Sequence, residues 1–259
     1  MSAILVTSIV IPCYNEQKGI SIGEYSQFLN ANPEVLICFV NDGSSDGTQK
    51  VLEILKEKHN SQIHIISYQK NLGKAEAVRT GINYCNKNYN NHCIGYLDAD
   101  LSASPEEFIE LQSHLKGNII FCFGSRIMKI GSTIVRDNNR FIIGRIIATF
   151  ISKLLRLKVY DTQCGCKIFT NEISILLFEK KFISKWLFDV ELFYRMIAIF
   201  GREKVVEKMV EIPLKQWIEK GDSKVKFSYF FTLWLDLYKI NQSYKKNIAE
   251  FIPLQIYRK

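Results

Sequence analysis

Asp98-Ala99-Asp100 closes the apolar run Ile94–Leu97. Two carboxylates at i and i+2 on a strand end can converge on one divalent cation. Mg2+ or Mn2+ is held by few carboxylates together with substrate phosphates. Such a cation would offset the charge of a diphosphate leaving group. The pair also fits a plainer role, a turn whose acids cap the next helix. Ser104-Pro105-Glu106-Glu107 is a helix start, with an N-cap serine, proline at the first position and acids in the first turn. Asn15-Glu16, Asn41-Asp42-Gly43 and Ser125-Arg126 likewise follow apolar runs directly. For Asp42 an Asx-turn cap in a Gly/Ser loop is compatible with a binding role.

The elements that must position these groups alternate over the first 125 residues. The β-branched runs Ser8–Ile11, Val35–Val40, Ile63–Ser67, Ile94–Leu97 and Ile119–Phe123 read as strands. Helical spacing covers roughly 16–30, 46–59, 73–88 and 104–115; Thr48, Val51, Leu52 and Leu55 form an i, i+3, i+4, i+7 stripe. Strand–helix alternation predicts an α/β fold, a mostly parallel sheet covered by helices on both faces. Ligands of such sheets bind at the carboxyl ends of the strands, where the polar motifs fall. Beyond residue 126 the pattern predicts a loop over 131–139, an amphipathic helix over 140–157, a turn and strand over 161–169, a helix over 186–200 and a strand over 205–212. Phe227, Tyr229, Phe230, Phe231, Trp234, Tyr238 and Tyr244 make an aromatic C-terminal segment. No repeat or low-complexity linker interrupts the chain. It is read as one domain, 1–225, with an extension over 226–259.

Four motifs occur in order: Val10-Ile11-Pro12-Cys13-Tyr14-Asn15-Glu16, then Val40-Asn41-Asp42-Gly43-Ser44-Ser45-Asp46-Gly47-Thr48, then Asn71-Leu72-Gly73-Lys74, then Asp98-Ala99-Asp100. In this order they resemble the inverting family 2 glycosyltransferases of GT-A fold. The resemblance implies a Rossmann-like sheet and a nucleotide-sugar donor. It places Pro12, Tyr14 and Glu16 in the uracil and ribose pocket and gives Asp42 to the base. Lys74 falls on the donor side, Asp98 is the nucleotide-contacting acid, and Asp100 is the metal ligand beside it. No G-x-G-x-x-G is present, so a nicotinamide cofactor has no support. Gly124-Ser125-Arg126, Arg136 with Arg140, Asp161-Thr162-Gln163-Cys164-Gly165-Cys166-Lys167, Trp186-Leu187-Phe188-Asp189-Val190-Glu191-Leu192 and Gly221-Asp222-Ser223-Lys224 are similar to dolichyl-phosphate β-glucosyltransferases. Cys166 stands where that pattern usually has Phe. Ser102 stands where the related mannose synthases tend to have Gln, which tilts the likeness to the glucosyl branch.

The expected reaction moves glucose from UDP-glucose to a polyprenyl or dolichyl phosphate with inversion. A phosphate is already an anionic nucleophile near neutral pH. It needs positive groups that hold it in line with the anomeric carbon rather than a strong base. Arg126, Arg136 and Arg140 are the candidates, because a guanidinium fork matches phosphate oxygens. Each alone also fits a surface charge; Arg136 and Arg140, at i and i+4, are expected to share a helix face. Lys224 is placed to reach the donor diphosphate. Asp189 holds the position where hydroxyl-directed relatives keep a catalytic base, and here would orient groups or bind a donor hydroxyl. Glu191 reads as structural. The rival readings are a family 2 enzyme acting on a sugar hydroxyl, a mannose synthase-like enzyme, and a non-catalytic nucleotide-sugar-binding scaffold.

Composition narrows the partners. Hydrophobic residues make up 47% and charged residues 23%, enough for a large core and too apolar for disorder. Lys and Arg number 34 against 26 acids, a net charge of +8 that suits anionic partners. No nucleic-acid recognition motif accompanies it, so no nucleic acid is expected. The cysteines number seven and show no disulfide framework, which points to a reducing compartment. No signal-peptide pattern precedes Val6, and Arg145, Lys153 and Arg156 interrupt the long apolar stretch 141–157. That helix fits either an interfacial helix or a core helix. With the aromatic segment and Lys245, Lys246, Arg258 and Lys259, it suits a protein peripheral to the cytoplasmic face of a membrane.

Overall fold

The computed structural model describes residues 6–220 and 229–246. Strands β1 (Val6–Cys13), β2 (Val35–Asn41), β3 (Ile63–Ser67) and β4 (Asn91–Leu97) alternate with helices α1 (Ile22–Ala31), α2 (Thr48–Lys58), α3 (Lys74–Asn88) and α4 (Pro105–Gln112). Then come β5 (Phe121–Ser125), β6 (Thr133–Val135), α5 (Asn138–Leu155), β7 (Cys166–Thr170), α6 (Asn171–Phe178), α7 (Phe188–Val205), β8 (Met209–Pro213), β9 (Gln216–Ile218) and α8 (Tyr229–Lys246). Seven strands form one sheet in the order β3-β2-β1-β4-β7-β5-β8, and β6 pairs with β9 in a separate ribbon. Only β7 runs antiparallel to its neighbours β4 and β5.

The alternating apolar runs explain the layers. Along β1, Ile9 and Ile11 face one core cluster and Val10 the other, as a period of two requires. All seven residues of β2 are buried, because a parallel strand inside such a sheet is covered on both faces. Helix α3 lies so close to β1 that a Cβ on Gly81 would come 2.4 Å from Val10 Cγ1.

The α/β architecture matches the sequence expectation, with differences that have physical causes. Helix α1 begins at Ile22 rather than near 16. Ser21 is its N-cap, accepting from the Glu24 amide at 3.3 Å. The segment read as a loop over 131–139 contains β6, a three-residue strand too short to show periodicity. Helix α6 lies outside the expected elements, because its eight residues are too few for a helical period to register. Arg136 precedes α5 and Arg140 lies within its first turn, so the expected shared helix face does not exist.

Helix α5 is core and surface at once. Ile147, Ile151 and Leu155 are buried, while Ile142, Ile143, Ile146 and Phe150 are exposed. Helix α8 places Leu233, Leu237, Ile240 and Tyr244 in the same core cluster as α5 and α7. Its Trp234 ring meets Phe150 of α5 edge-on at 4.8 Å, and Leu235 and Tyr238 are exposed beside it. Arg195 is buried beneath, donating to Glu191, to the Tyr244 hydroxyl and to the carbonyls of Leu177, Lys180 and Lys181. Glu191 therefore has the structural role its position suggested. All seven cysteines are buried free thiols.

Candidate active site

The loops after β1 and β2 brace each other. Asn15 takes a left-handed backbone at φ 53°, which asparagine tolerates better than most residues. Its amide donates to Ser44 Oγ at 3.0 Å and its side-chain oxygen accepts from the Ser45 amide at 2.9 Å. The Glu16 amide donates to Thr48 Oγ1 at 2.8 Å, and the Gln17 amide to Asp46 at 3.1 Å. Much of the N-D-G-S-S-D-G-T motif thus holds its own loop. Gly43 at φ +69° sits where a Cβ would lie 2.5 Å from the Lys70 carbonyl carbon. That close approach lets both oxygens of Asp42 accept from the amides of Leu72 and Gly73, at 2.7 and 2.8 Å. Burial raises the Asp42 carboxyl against those two bonds. Asp42 therefore joins the second motif to the third while still lining the cleft.

Asp98 and Asp100 lie at the carboxyl end of β4. Lys74 Nζ, at the start of α3, contacts Asp98 Oδ1 at 2.5 Å. Asp100 accepts from the Ser102 amide at 2.9 Å, across Leu101 at φ 54°. Burial, and then the charge of Asp98, push the Asp100 carboxyl up. Burial opposes the charge of Lys74, but Asp98, Asp189 and Asp100 together outweigh it and keep the ammonium protonated.

The antiparallel strand β7 and the turn before it brace this acid pair. Gly165 carries no Cβ because one would come 2.0 Å from Asp98 Oδ2, and its carbonyl accepts from the Asp98 amide at 3.0 Å. Lys167, buried in β7, contacts Asp189 at 2.5 Å and donates to the Cys164 carbonyl at 2.6 Å. Asp161 grips Arg126 by two bonds, from Nε at 2.7 Å and from Nη2 at 2.9 Å. Burial alone would raise Asp161; the Arg126 charge and hydrogen bonds overcome it and hold the carboxyl at about 2. Asp161 and Lys167 of D-T-Q-C-G-C-K thus each steady a residue of another motif, Arg126 and Asp189.

One cleft of about 1080 Å3 gathers Pro12, Tyr14, Glu16, Asp42, Lys74, Asp98, Asp100 and Arg126. A second cavity of about 110 Å3 adjoins it, lined by Arg126, Arg136, Arg145 and Tyr160. Arg126, Trp217 and Glu219 line both. The Arg136 guanidinium lies 3.8 Å from the Phe141 ring centroid, and its Nε and Nη2 are buried without a hydrogen-bond partner among the described residues. Arg145 donates to the Tyr160 carbonyl at 2.6 Å and stacks on that ring.

One expected group among the described residues is not brought into this lining. Asp189 is buried, and its carboxylate accepts from the Tyr96 hydroxyl and from Lys167. Lys224 and the side chain of Arg140 lie outside the described residues. Sequence reasoning missed Lys185, Trp217, Glu219 and Arg145. Lys185 packs its stem against Gly73 and lines the cleft beside Trp186. The available signal was position: Lys185 abuts the W-x-F-D-V-E-L motif, and Trp217 and Glu219 shortly precede the G-D-S-K motif.

Comparison with known proteins agrees with this geometry. A dolichyl-phosphate beta-glucosyltransferase of Trichomonas vaginalis is 30% identical over 90% of this chain and 70% of its own length. The Homo sapiens dolichyl-phosphate beta-glucosyltransferase is 27% identical over 93% of this chain and 79% of its own. Among solved structures, glucosyl-3-phosphoglycerate synthase from Mycobacterium tuberculosis in complex with UDP superposes with a TM-score of 0.66 at 15% identity, covering 93% of this chain and 80% of that one. The same enzyme with Mn2+, UDP-glucose and phosphoglyceric acid gives a TM-score of 0.65 at 15% identity, over 92% of this chain and 80% of that one. Residues 8–177 match the family described as glycosyl transferase family 2, so this chain belongs to that family of glycosyltransferases.

Proposed function

We propose that this glycosyltransferase moves glucose from UDP-glucose to a polyprenyl or dolichyl phosphate with inversion, giving a β-linked lipid-phosphate sugar. The observation that carries the reading is the shared wall: paired acids line one cavity, Arg136, whose Nε and Nη2 have no hydrogen-bond partner among the described residues, lines the next, and Arg126 belongs to both. The relatives named dolichyl-phosphate beta-glucosyltransferase supply the acceptor class, and a UDP-glucose complex of the same fold supplies the donor.

In the reaction one acceptor phosphate oxygen bonds the anomeric carbon as that carbon's bond to the diphosphate breaks, and the nucleoside diphosphate leaves with the electron pair. Pro12, Tyr14, Glu16 and Asp42 form the nucleoside wall. Lys74, already against Asp98, and Lys224 serve the diphosphate. Arg126, Arg136 and Arg140 hold the attacking phosphate in line. Arg126 reaches this role pre-set by Asp161, so little side-chain freedom is lost on binding.

Asp100 and Asp98 fit a divalent cation. Their carboxylates follow one strand, Gly165 leaves room for Asp98, and the burial and the Asp98 charge that raise Asp100 are what a cation would offset. Among the described residues no three His, Cys, Asp or Glu gather as a metal cluster, so phosphate oxygens and water would complete the shell, as is usual for Mg2+ or Mn2+. Bound there, the ion would neutralise charge on the leaving diphosphate. Mn2+ occurs with UDP in complexes of the similar fold.

The acceptor reading is favoured over transfer to a sugar hydroxyl because that reaction needs a base. Asp189 is committed to Tyr96 and Lys167 and serves better as a positioning group. The acceptor's lipid would approach along α5, where Ile142, Ile143, Ile146 and Phe150 are exposed next to the arginine cavity. No helix among the described residues is long and apolar enough to cross a membrane. The contact proposed is a peripheral one of the exposed α5 face, on the cytoplasmic side. The C-terminal segment 226–259 would add aromatic and basic groups to the same surface. The test is a panel of nucleotide sugars with a polyprenyl phosphate and product counted in the organic phase. UDP-glucose should give the most product; organic-phase product from GDP-mannose alone, or none from any donor, would overturn the assignment.

A further inference from the structure

Trp217 stands where the two cavities meet. It lines both, and its ring centroid lies 5.3 Å from the Arg126 guanidinium. The backbone around it is bonded on every side. The Ile218 amide donates to the Ser102 carbonyl at 2.9 Å, directly after the acid pair. The amides of Lys215 and Gln216 donate to the buried carboxylate of Glu107 at 3.2 and 2.8 Å. Thr133 donates to the Lys215 carbonyl at 2.8 Å, and Glu219 to the Val135 carbonyl at 2.9 Å. An indole on so fixed a ribbon is a pre-set surface rather than an incidental side chain.

A hexose whose diphosphate is held at Asp98 and Asp100, and whose anomeric carbon faces an anion at Arg136, must pass this junction. A pyranose ring offers a face of polarised C–H groups. An aromatic ring offers a negative face, and contacts of this kind add to the area buried. We propose that Trp217 is the platform for the transferred hexose, a specificity-determining residue whose ring covers one face of the sugar. This inference rests on the donor reading above. It goes further in assigning the sugar, as distinct from the nucleotide, to a named side chain.

The experiment compares UDP with UDP-glucose by titration calorimetry in the presence of Mn2+. Trp217→Leu should leave UDP affinity within about twofold of wild type and weaken UDP-glucose about tenfold, the scale of one lost aromatic contact. Trp217→Phe should recover most of the loss. A Trp217→Leu protein that binds both ligands as wild type does, or loses both equally, would overturn the platform. A second readout leaves Trp217 in place, since the chain's tryptophans are 186, 217 and 234. In the Trp186→Phe/Trp234→Phe protein, UDP-glucose should shift the remaining emission and UDP should not; equal shifts would overturn the proposal. Wild-type protein that bound neither ligand would instead bring down the donor reading itself.

Discussion

The donor wall of the cleft is made from loops that each follow a parallel strand, whereas the arginine wall is assembled from a strand end, a three-residue ribbon, a helix start and the turn before β7. On the donor side Asp42 takes its place from the amides of Leu72 and Gly73, Asp100 from the Ser102 amide, and Asp98 from Lys74 together with Gly165 of the turn before β7. On the other side Arg126 depends on Asp161, thirty-five residues away, and Trp217 depends on Glu107 and Ser102. A parallel sheet delivers ligand groups as a consequence of its topology. The arginine wall needs a separate brace for each group: Asp161 for Arg126, the Tyr160 carbonyl for Arg145, and Glu107 with Ser102 for the ribbon that carries Trp217.

The strongest way to break this comparison is at the acid pair. Asp100→Ala should lower turnover by about a thousandfold or more, since charge stabilisation of the leaving diphosphate is worth several kcal/mol. Transfer assays would read this, and near-wild-type turnover would remove the cation from the account.

The brace comes next. Asp161→Asn leaves the half-buried Arg126 without its counter-charge and should cost about 2–3 kcal/mol by chemical denaturation, the scale set by the lowered Asp161 carboxyl. The pH dependence has a fixed sign. Asp161 is held at about 2, below its unfolded value of about 3.9, so its stabilisation is complete above that value and is lost as pH falls through about 2. The stability gap between wild type and Asp161→Asn should therefore narrow by about 2 kcal/mol on going from pH 7 to pH 2. A gap independent of pH would show that the pair is not what holds this wall.

Asp42→Asn sharpens the donor side. One amide, of Leu72 or Gly73, would face an NH2 group in place of an oxygen, at a cost of about 1–2 kcal/mol. The donor KM should rise, with the acceptor KM unchanged. The smallest effect concerns the surface. Ile146→Asp, on the exposed side of α5, should reduce partition onto anionic vesicles several-fold, in line with about 1–2 kcal/mol for one buried aliphatic side chain, without changing folding stability. Undiminished co-sedimentation would take α5 out of the membrane contact.

The same contrast explains what the sequence revealed. Strands β1 to β4 are largely apolar runs that end in polar motifs, so both the sheet and the polar groups at its carboxyl edge were legible. The braces were visible as motif letters but not as relations. Nothing local says that Gly165 must be bare because Asp98 packs on it, or that Lys167 binds Asp189 rather than a ligand. Strands β6 and β9 are three residues each, below the length at which alternation registers, and with them went Trp217. The expected Arg136–Arg140 pairing failed for a related reason. Spacing alone does not reveal that the helix begins only after Asp137.

The central claim is that two adjoining cavities, joined at Arg126, hold two different anions. Two-substrate kinetics on Arg136→Gln test it most directly. The account predicts an acceptor KM raised about tenfold or more, as for a lost charged hydrogen-bond partner, with the UDP-glucose KM within about twofold of wild type. A rise in the UDP-glucose KM instead, or no change in either, would contradict it.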